Sequence, residues 1–313
     1  MPLPDSFEVG RSEDRAAPST FEEPNRVSKV LADSGASTKA DFSERCHAAG
    51  VVKCVGFDTK AEVYAFLRPN GDGLVEGFLD EEIKASGQGS LRFDIPSQSG
   101  PNSAGSWDTE MGQTFGPGDT FYVQFRQRFD DVILKEDFGG GGWKQVMFYA
   151  HPKPCASVEL ATQNIYYRGF PQMFTDCGGR GLYTNGGVPP TLLQQGDYNC
   201  RYKQENSTDC SLYRPAQWMT FCYKVALGKW GAPESSVEAW VSYEGEPLKK
   251  FVDMHNFRLD YNDGPSDRFD RIVLTPYDTN KPSQPKHPVA HTWYDELIIS
   301  TKPIKAPSGP IPK

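Results

Sequence analysis

The sequence predicts an all-β fold, an antiparallel β-sandwich or jelly roll, and three observations predict it. Short apolar runs with a period of two recur between turn residues along the chain. Gly (30) and Pro (25) punctuate the chain throughout, and aromatic residues make up 12% of it, a mixture suited to many short strands. No amphipathic helix of three turns is visible. The 313 residues suffice for one large β domain.

Taken in order, residues 1–44 are polar, rich in Ser, Asp, Glu and Pro without sustained period, and read as an N-terminal arm. A single β domain is expected over 45–301. Its clearest strands are SLRFDI (90–95), TFYVQFRQRF (120–129), WKQVMFYAH (143–151) and SVELATQN (157–164). WMTFCYKVAL (218–227), VEAWVSY (237–243), RIVLTPY (271–277) and TWYDELIIS (292–300) follow. GPGD, GGGG and GKWG mark bends between them. Residues 302–313, KPIKAPSGPIPK, form a Pro-rich C-terminal tail.

A formal charge of −8 without a block of Lys or Arg argues against a nucleic-acid partner. No run of 18 apolar residues exists, so no membrane span is expected. The start, MPLPDSFEVGRSEDRAAPS, lacks a basic segment leading into an apolar one. Either a leader was removed and Met1 added, or export follows another route. Seven cysteines suggest three local bridges, 46–54, 155–177 and 200–210, with Cys222 a packed thiol in an apolar strand. That pattern favours an oxidising, extracellular setting. No CxxC or HxH spacing supports a metal cluster.

The alternation within strands carries the functional signal. In 120–129, Phe121, Val123, Phe125 and Phe129 share one face, and Tyr122, Gln124, Arg126 and Arg128 share the other. In 143–151, Trp143, Gln145, Tyr149 and His151 oppose Val146, Phe148 and Ala150. In 157–164, Glu159 and Gln163 oppose Val158 and Leu160; in 237–243, Glu238 and Trp240 oppose Val237, Ala239 and Val241. Solvated strand faces usually carry Thr, Ser, Lys and Glu without large rings. Rings beside amide and guanidinium groups suit a sugar chain, whose C–H faces stack while its hydroxyls bond to the polar forks. Arg also grips uronic carboxylates bidentately. These faces are expected to converge in one cleft. Arg126 and Gln145 would neutralise a carboxylate there, and His151 or Tyr149 would move a proton. Tyr122, Gln124, Arg128, Trp143, Glu159, Gln163 and Trp240 would hold the substrate.

The segments TFYVQFRQRF, GGGGWKQVMFYAH, the Glu-bearing strand and TWYDELIIST resemble concanavalin A-like jelly rolls of bacterial and viral polysaccharide-acting proteins. The opening CHAAGVVKCVGFD, Cys46 to Asp58, and the ending WYDELI resemble a widespread bacterial group of unassigned function. The resemblance covers roughly 45–302 and implies fold more than activity, because this fold hosts lectins, glucanases and lyases. Glucanases of this type carry an E-x-D-x-E strand, which is missing here. Alginate and glucuronan lyases carry a Q-x-H strand and an R-x-E-L-R strand; here Gln145 and His151 are six apart and Ser157 replaces the first Arg. The resemblance further implies a structural Ca²⁺ held by Asp295 of the last strand, with Asp58 close by if the termini pair. Three functions stay open: a polysaccharide lyase cleaving an acidic glycan by β-elimination, a non-catalytic lectin-like binder, and a structural or adhesive surface or virion protein. In the last of these the polar arm would mediate self-assembly.

Overall fold

The computed structural model describes residues 39–64, 77–96, 105–135, 143–150, 159–164, 171–174, 213–259, 261, 264–277 and 288–307. All of them belong to the unit Ser34–Lys313. Thirteen strands among these residues make two antiparallel sheets. The eight-stranded sheet contains β1 (Val51–Val55), β2 (Phe78–Asp80), β3 (Ser90–Ile95), β5 (Thr120–Phe129), β9 (Trp218–Ala226), β10 (Ser235–Tyr243), β11 (Lys249–Phe257) and β13 (Ala290–Ser300). Its order is β11-β10-β9-β5-β13-β3-β2, and β1 also pairs with β13. The five-stranded sheet contains β4 (Trp107–Phe115), β6 (Trp143–Tyr149), β7 (Glu159–Asn164), β8 (Pro171–Phe174) and β12 (Phe269–Leu274), in the order β4-β12-β6-β7-β8. Three short helices, α1 (Lys39–Cys46), α2 (Lys60–Val63) and α3 (Asp131–Lys135), flank the sheets.

The predicted inward faces meet between the sheets. Phe121, Val123, Phe125 and Phe129 of β5 join Phe148, Leu160, Phe221, Val237, Ala239 and Ile272 in one buried cluster. The Phe121 ring meets Phe148 of the opposite sheet edge-on at 5.5 Å, and Phe125 stacks on Phe221 at 5.6 Å. Each such ring removed from water stabilises the fold by roughly 1.5–3 kcal/mol. Aromatic residues on strands of strict alternation therefore fix which face is inside.

Of the register shifts in the two sheets, those on β6 and β13 decide where the predicted site residues point. On β6, Lys144 faces Gln163 and Val146 faces Thr162, so Gln145 is an extra residue. Gln145 and Val146 consequently both point inward. On β13, Asp295 faces Arg126 and Ile298 faces Gln124, leaving two residues opposite Phe125 alone. Glu296 takes φ +52 there, and Asp295 and Glu296 both turn outward while Tyr294 and Leu297 stay in the core.

Helix α1 and residues 302–307 lie against the outer face of the large sheet. Arg45 of α1 reaches Glu296 Oε2 at 2.5 Å, Gln124 Oε1 at 2.6 Å and Asp41 at 3.0 Å. Lys305 O accepts from Gln124 Nε2 at 3.1 Å, and Ile304 and Ala306 are buried. The packed unit therefore extends at both ends past the 45–301 expected from composition. Cys46 and Cys54 are bridged as anticipated, and Cys222 is a buried free thiol whose pKa burial raises to about 12. The other two expected bridges lie outside the described residues.

Candidate functional site

On the outer face of the five-stranded sheet, β12 runs between β4 and β6 and places Arg271 opposite both Glu110 and Tyr149. Asp108 of β4 completes a compact group. Its Oδ2 accepts from the Tyr149 hydroxyl at 2.6 Å, and its Oδ1 accepts from Arg271 Nε and Nη2 at 3.0 and 2.8 Å. Arg271 Nη1 lies 4.0 Å from Glu110. Burial works against the charge on Arg271, but the Asp108 carboxylate and the Tyr149 hydroxyl hold its pKa above the usual value. Met147, Ala161 and Val273 form the apolar surround of Tyr149.

Lys53 of β1 joins this group through a close approach of strands. Gly112 of β4 has φ +86, and a Cβ there would meet Val52 O at 2.5 Å. Only glycine lets β1 come this near. Burial, and the positive field of Arg271, lower the Lys53 pKa, and Glu110 opposes them. Two cations, two carboxylates and a phenol are thus gathered where β1 approaches the five-stranded sheet. Tyr149, Asp108 and Arg271 are 2%, 4% and 7% exposed.

A second polar surface covers the outer face of the large sheet. Tyr122, Gln124, Arg126 and Arg128 share it, as alternation along β5 predicts, and Trp240 joins them from β10. Gln124 is committed to Arg45, Lys305 and the Cys222 sulfur. Trp240 lies under Lys250 at 5.3 Å, and Lys250 and Lys224 both grip Glu238. Burial of Glu238 is outweighed by these two lysines, which hold its pKa below the usual carboxylate range. A cavity of about 50 Å³ lies where Tyr122, Lys224 and Trp240 meet Pro303 and Ile304.

The expected single cleft is not formed by these residues. Gln145 lies in the core rather than on an outer face. Its Nε2 donates to Gln127 Oε1, Gln127 donates to Thr292 at 2.9 Å, and the Tyr294 hydroxyl donates to Gln145 O at 2.9 Å. The bulge is the physical reason, because it shifts the parity of β6 by one. Trp143 is likewise in the core cluster, and among the described residues of that strand's predicted set Tyr149 reaches an outer face. Arg126, Arg128, Tyr122, Gln124 and Trp240 are on the opposite side of the sandwich from Tyr149. Glu159 and Gln163 belong to β7 of the small sheet, with side chains outside the described residues, and His151 lies outside them too. Arg271, Asp108 and Lys53 were not singled out. Arg271 opens a run that reads as a strand, whereas Asp108 and Lys53 sit in segments with no clear apolar period.

Asp58 and Asp295 approach the same loop, as the paired termini suggest. Asp58 Oδ1 accepts from the N–H groups of Gln88 and Gly89. Asp295 Oδ2 accepts from Ala85 and Ser86 at 2.7 and 3.2 Å, and its Oδ1 accepts from Glu296 N at 2.7 Å. Both Asp295 oxygens therefore face N–H donors, where a Ca²⁺ site needs further oxygen atoms. This donor set does not fit the cation. Burial and the neighbouring Glu296 push the Asp295 pKa well up, against the pull of the three N–H groups.

The structure is similar to the crystal structure of the PL-14 alginate lyase from Aplysia kurodai, with a TM-score of 0.53 and 12% identity, covering 81% of this chain and 100% of the other. The chain shares its jelly-roll fold with a polysaccharide lyase. The endo-β-1,4-glucuronan lyase from the fungus Trichoderma reesei gives a TM-score of 0.47 at 13% identity, over 80% of this chain and 95% of that one. No family model matches the sequence, and no curated protein matches it.

Proposed function

We propose that this chain is an extracellular protein that engages an acidic polysaccharide and cleaves it by β-elimination on the outer face of the five-stranded sheet. One observation carries the proposal. The Tyr149 hydroxyl is set between the Asp108 carboxylate and the Arg271 guanidinium, with Lys53 as a second nearby cation. The jelly-roll fold shared with an alginate lyase supports it, and the Cys46–Cys54 bridge supports the compartment.

In this mechanism Arg271 and Lys53 neutralise the uronate carboxylate, which makes the hydrogen on the adjacent ring carbon more acidic. That proton passes to the Tyr149–Asp108 pair. The C–H electrons form a carbon–carbon double bond, the glycosidic oxygen departs from the next carbon, and the pair returns the proton to it. Tyr149 is 2% exposed, so turnover requires this hydroxyl to become accessible to substrate.

The test is incubation with a panel of polyuronates, following the absorbance of the unsaturated product. Wild type is expected to generate it, and Tyr149→Phe to lower the rate by about 10² or more while still folding. Absence of product from every polymer would overturn the mechanism. A second reading, a lectin-like binder, is favoured by the way Tyr149, Asp108 and Arg271 saturate one another, as in a structural network. Binding without turnover would decide for it.

A further inference from the structure

The outer face of the large sheet holds two guanidinium groups whose bonding is incomplete. Arg126 is 2% exposed, yet among the described residues only its Nη2 has a polar partner, Glu244 Oε1 at 3.1 Å; Nε and Nη1 are buried without one there. Arg128, two residues on, has a buried Nε without a partner, and among the described residues its side chain makes no hydrogen bond or ion pair. A buried donor left unbonded costs about 1–3 kcal/mol. Three such donors on neighbouring positions of one strand are a standing penalty that a bound anion would relieve.

The surroundings direct that anion. In the strand register Arg128 faces Trp218 on one side and Trp293 on the other. The Arg126 guanidinium lies 5.9 Å from the Trp218 ring, and that of Arg128 lies 5.9 Å from the Trp293 ring. The indoles hold the guanidinium forks in place and keep water from them, which strengthens any charge pairing there. Asp295 is the register partner of Arg126, but both its oxygens are taken by backbone N–H groups. Glu244, just past the end of β10 and with a side chain 31% exposed, is the carboxylate that reaches Arg126.

We propose that Arg126 and Arg128 form a second anion-recognition site, taking the carboxylate of an acidic sugar unit, on the side of the sandwich opposite Tyr149. Glu244 is its internal stand-in. An incoming carboxylate displaces Glu244 from Arg126, spans the two guanidinium groups and satisfies their open donors. The choice of a sugar carboxylate rests on the acidic polysaccharide proposed above, of which a long chain would be retained by this site while another segment occupies the far face.

The test is calorimetric titration of Tyr149→Phe, whose turnover is slowed enough to measure binding, with a long polyuronate and with a neutral β-glucan. Arg128→Ala added to that background is expected to weaken polyuronate binding about tenfold. Arg128→Lys, which keeps charge and bulk but loses the planar fork, should weaken it as well, and Glu244→Gln should tighten it. The neutral glucan should bind none of these proteins. Unchanged polyuronate affinity in both folded Arg128 variants overturns the site. Equal competition by poly-glutamate overturns its assignment to a sugar. If wild type turns over no polymer but Arg128-dependent binding persists, the lyase reading fails and this site stands; turnover with Arg128-independent binding has the opposite meaning.

Discussion

Asp295 is a buried carboxyl whose two oxygens accept from backbone N–H groups. Its folded pKa is raised, so the folded chain keeps a proton that the unfolded chain releases above the ordinary value of 3.8. The contribution of this group to stability is thus fully present below about pH 4. It is lost as pH rises toward the folded pKa. Asp295→Asn cannot ionise. Subtracting its urea-unfolding free energies from those of wild type, between pH 4 and 8, should give a difference that becomes steadily less favourable to wild type; a flat difference would rule this out. Added Ca²⁺ should leave wild-type unfolding unmoved. Gln145 illustrates the companion case. It links Gln127, and at 3.5 Å the Tyr223 hydroxyl, across the core. Gln145→Ala should therefore cost roughly 2–4 kcal/mol of stability, from unbonded buried groups plus a cavity. Any loss of polyuronate binding should track unfolding in a denaturant titration rather than occur in the folded protein.

Helix α1 is fastened by the Cys46–Cys54 bridge and by the ion pair of Arg45 with Glu296. Arg45 and Glu296 are 1% and 0% exposed at their side chains, so neither charge has recourse to water. Removing Arg45 alone leaves Glu296 buried and unpaired, a change that costs about 3–5 kcal/mol in comparable sites. Replacing both with leucine removes the penalty along with the pair. We expect Arg45→Leu to lower the denaturant midpoint strongly and the Arg45→Leu/Glu296→Leu protein to recover most of it; equal loss in both would show that the pair matters only through packing. The ion pair was not legible in the sequence, where Arg45 falls in a polar segment. The strands were legible wherever one face is apolar, as in β3, β5 and β13, whose predicted spans coincide with or lie within those observed. β4 is not legible in the sequence because Thr109 occupies a buried position and Gly112 interrupts the run. β11 is an edge strand whose four exposed residues, Lys249, Asp253, His255 and Asn256, are all polar and include two in succession, which conceals its period. On β6 the apolar face of Val146, Phe148 and Ala150 is legible, but the bulge that turns Trp143 and Gln145 into the core leaves no mark in composition.

At the scale of the molecule, strand-by-strand alternation reveals which side chains turn away from the core, but not which sheet each strand joins. β5 and β6 both present rings and polar forks, and they lie in different sheets whose outer faces point in opposite directions. The residues expected in one trough are accordingly divided between two surfaces, with a core about 10 Å thick between the sheets. Energetic coupling decides between these arrangements without any knowledge of the ligand. Sites separated by more than 7–10 Å and sharing no partner combine additively to within about 0.5 kcal/mol, whereas groups in one hydrogen-bonded cluster do not. Tyr149→Phe removes a bond to Asp108 on the small sheet, and Arg128→Ala removes a cation from the large one. Their unfolding free energies should add. Tyr149→Phe combined with Arg271→Lys alters two partners of the same carboxylate and should depart from additivity by more than that margin. Coupling of Tyr149 to Arg128 as strong as its coupling to Arg271 would mean that the two faces communicate through the core, and the division into separate sites would have to be abandoned.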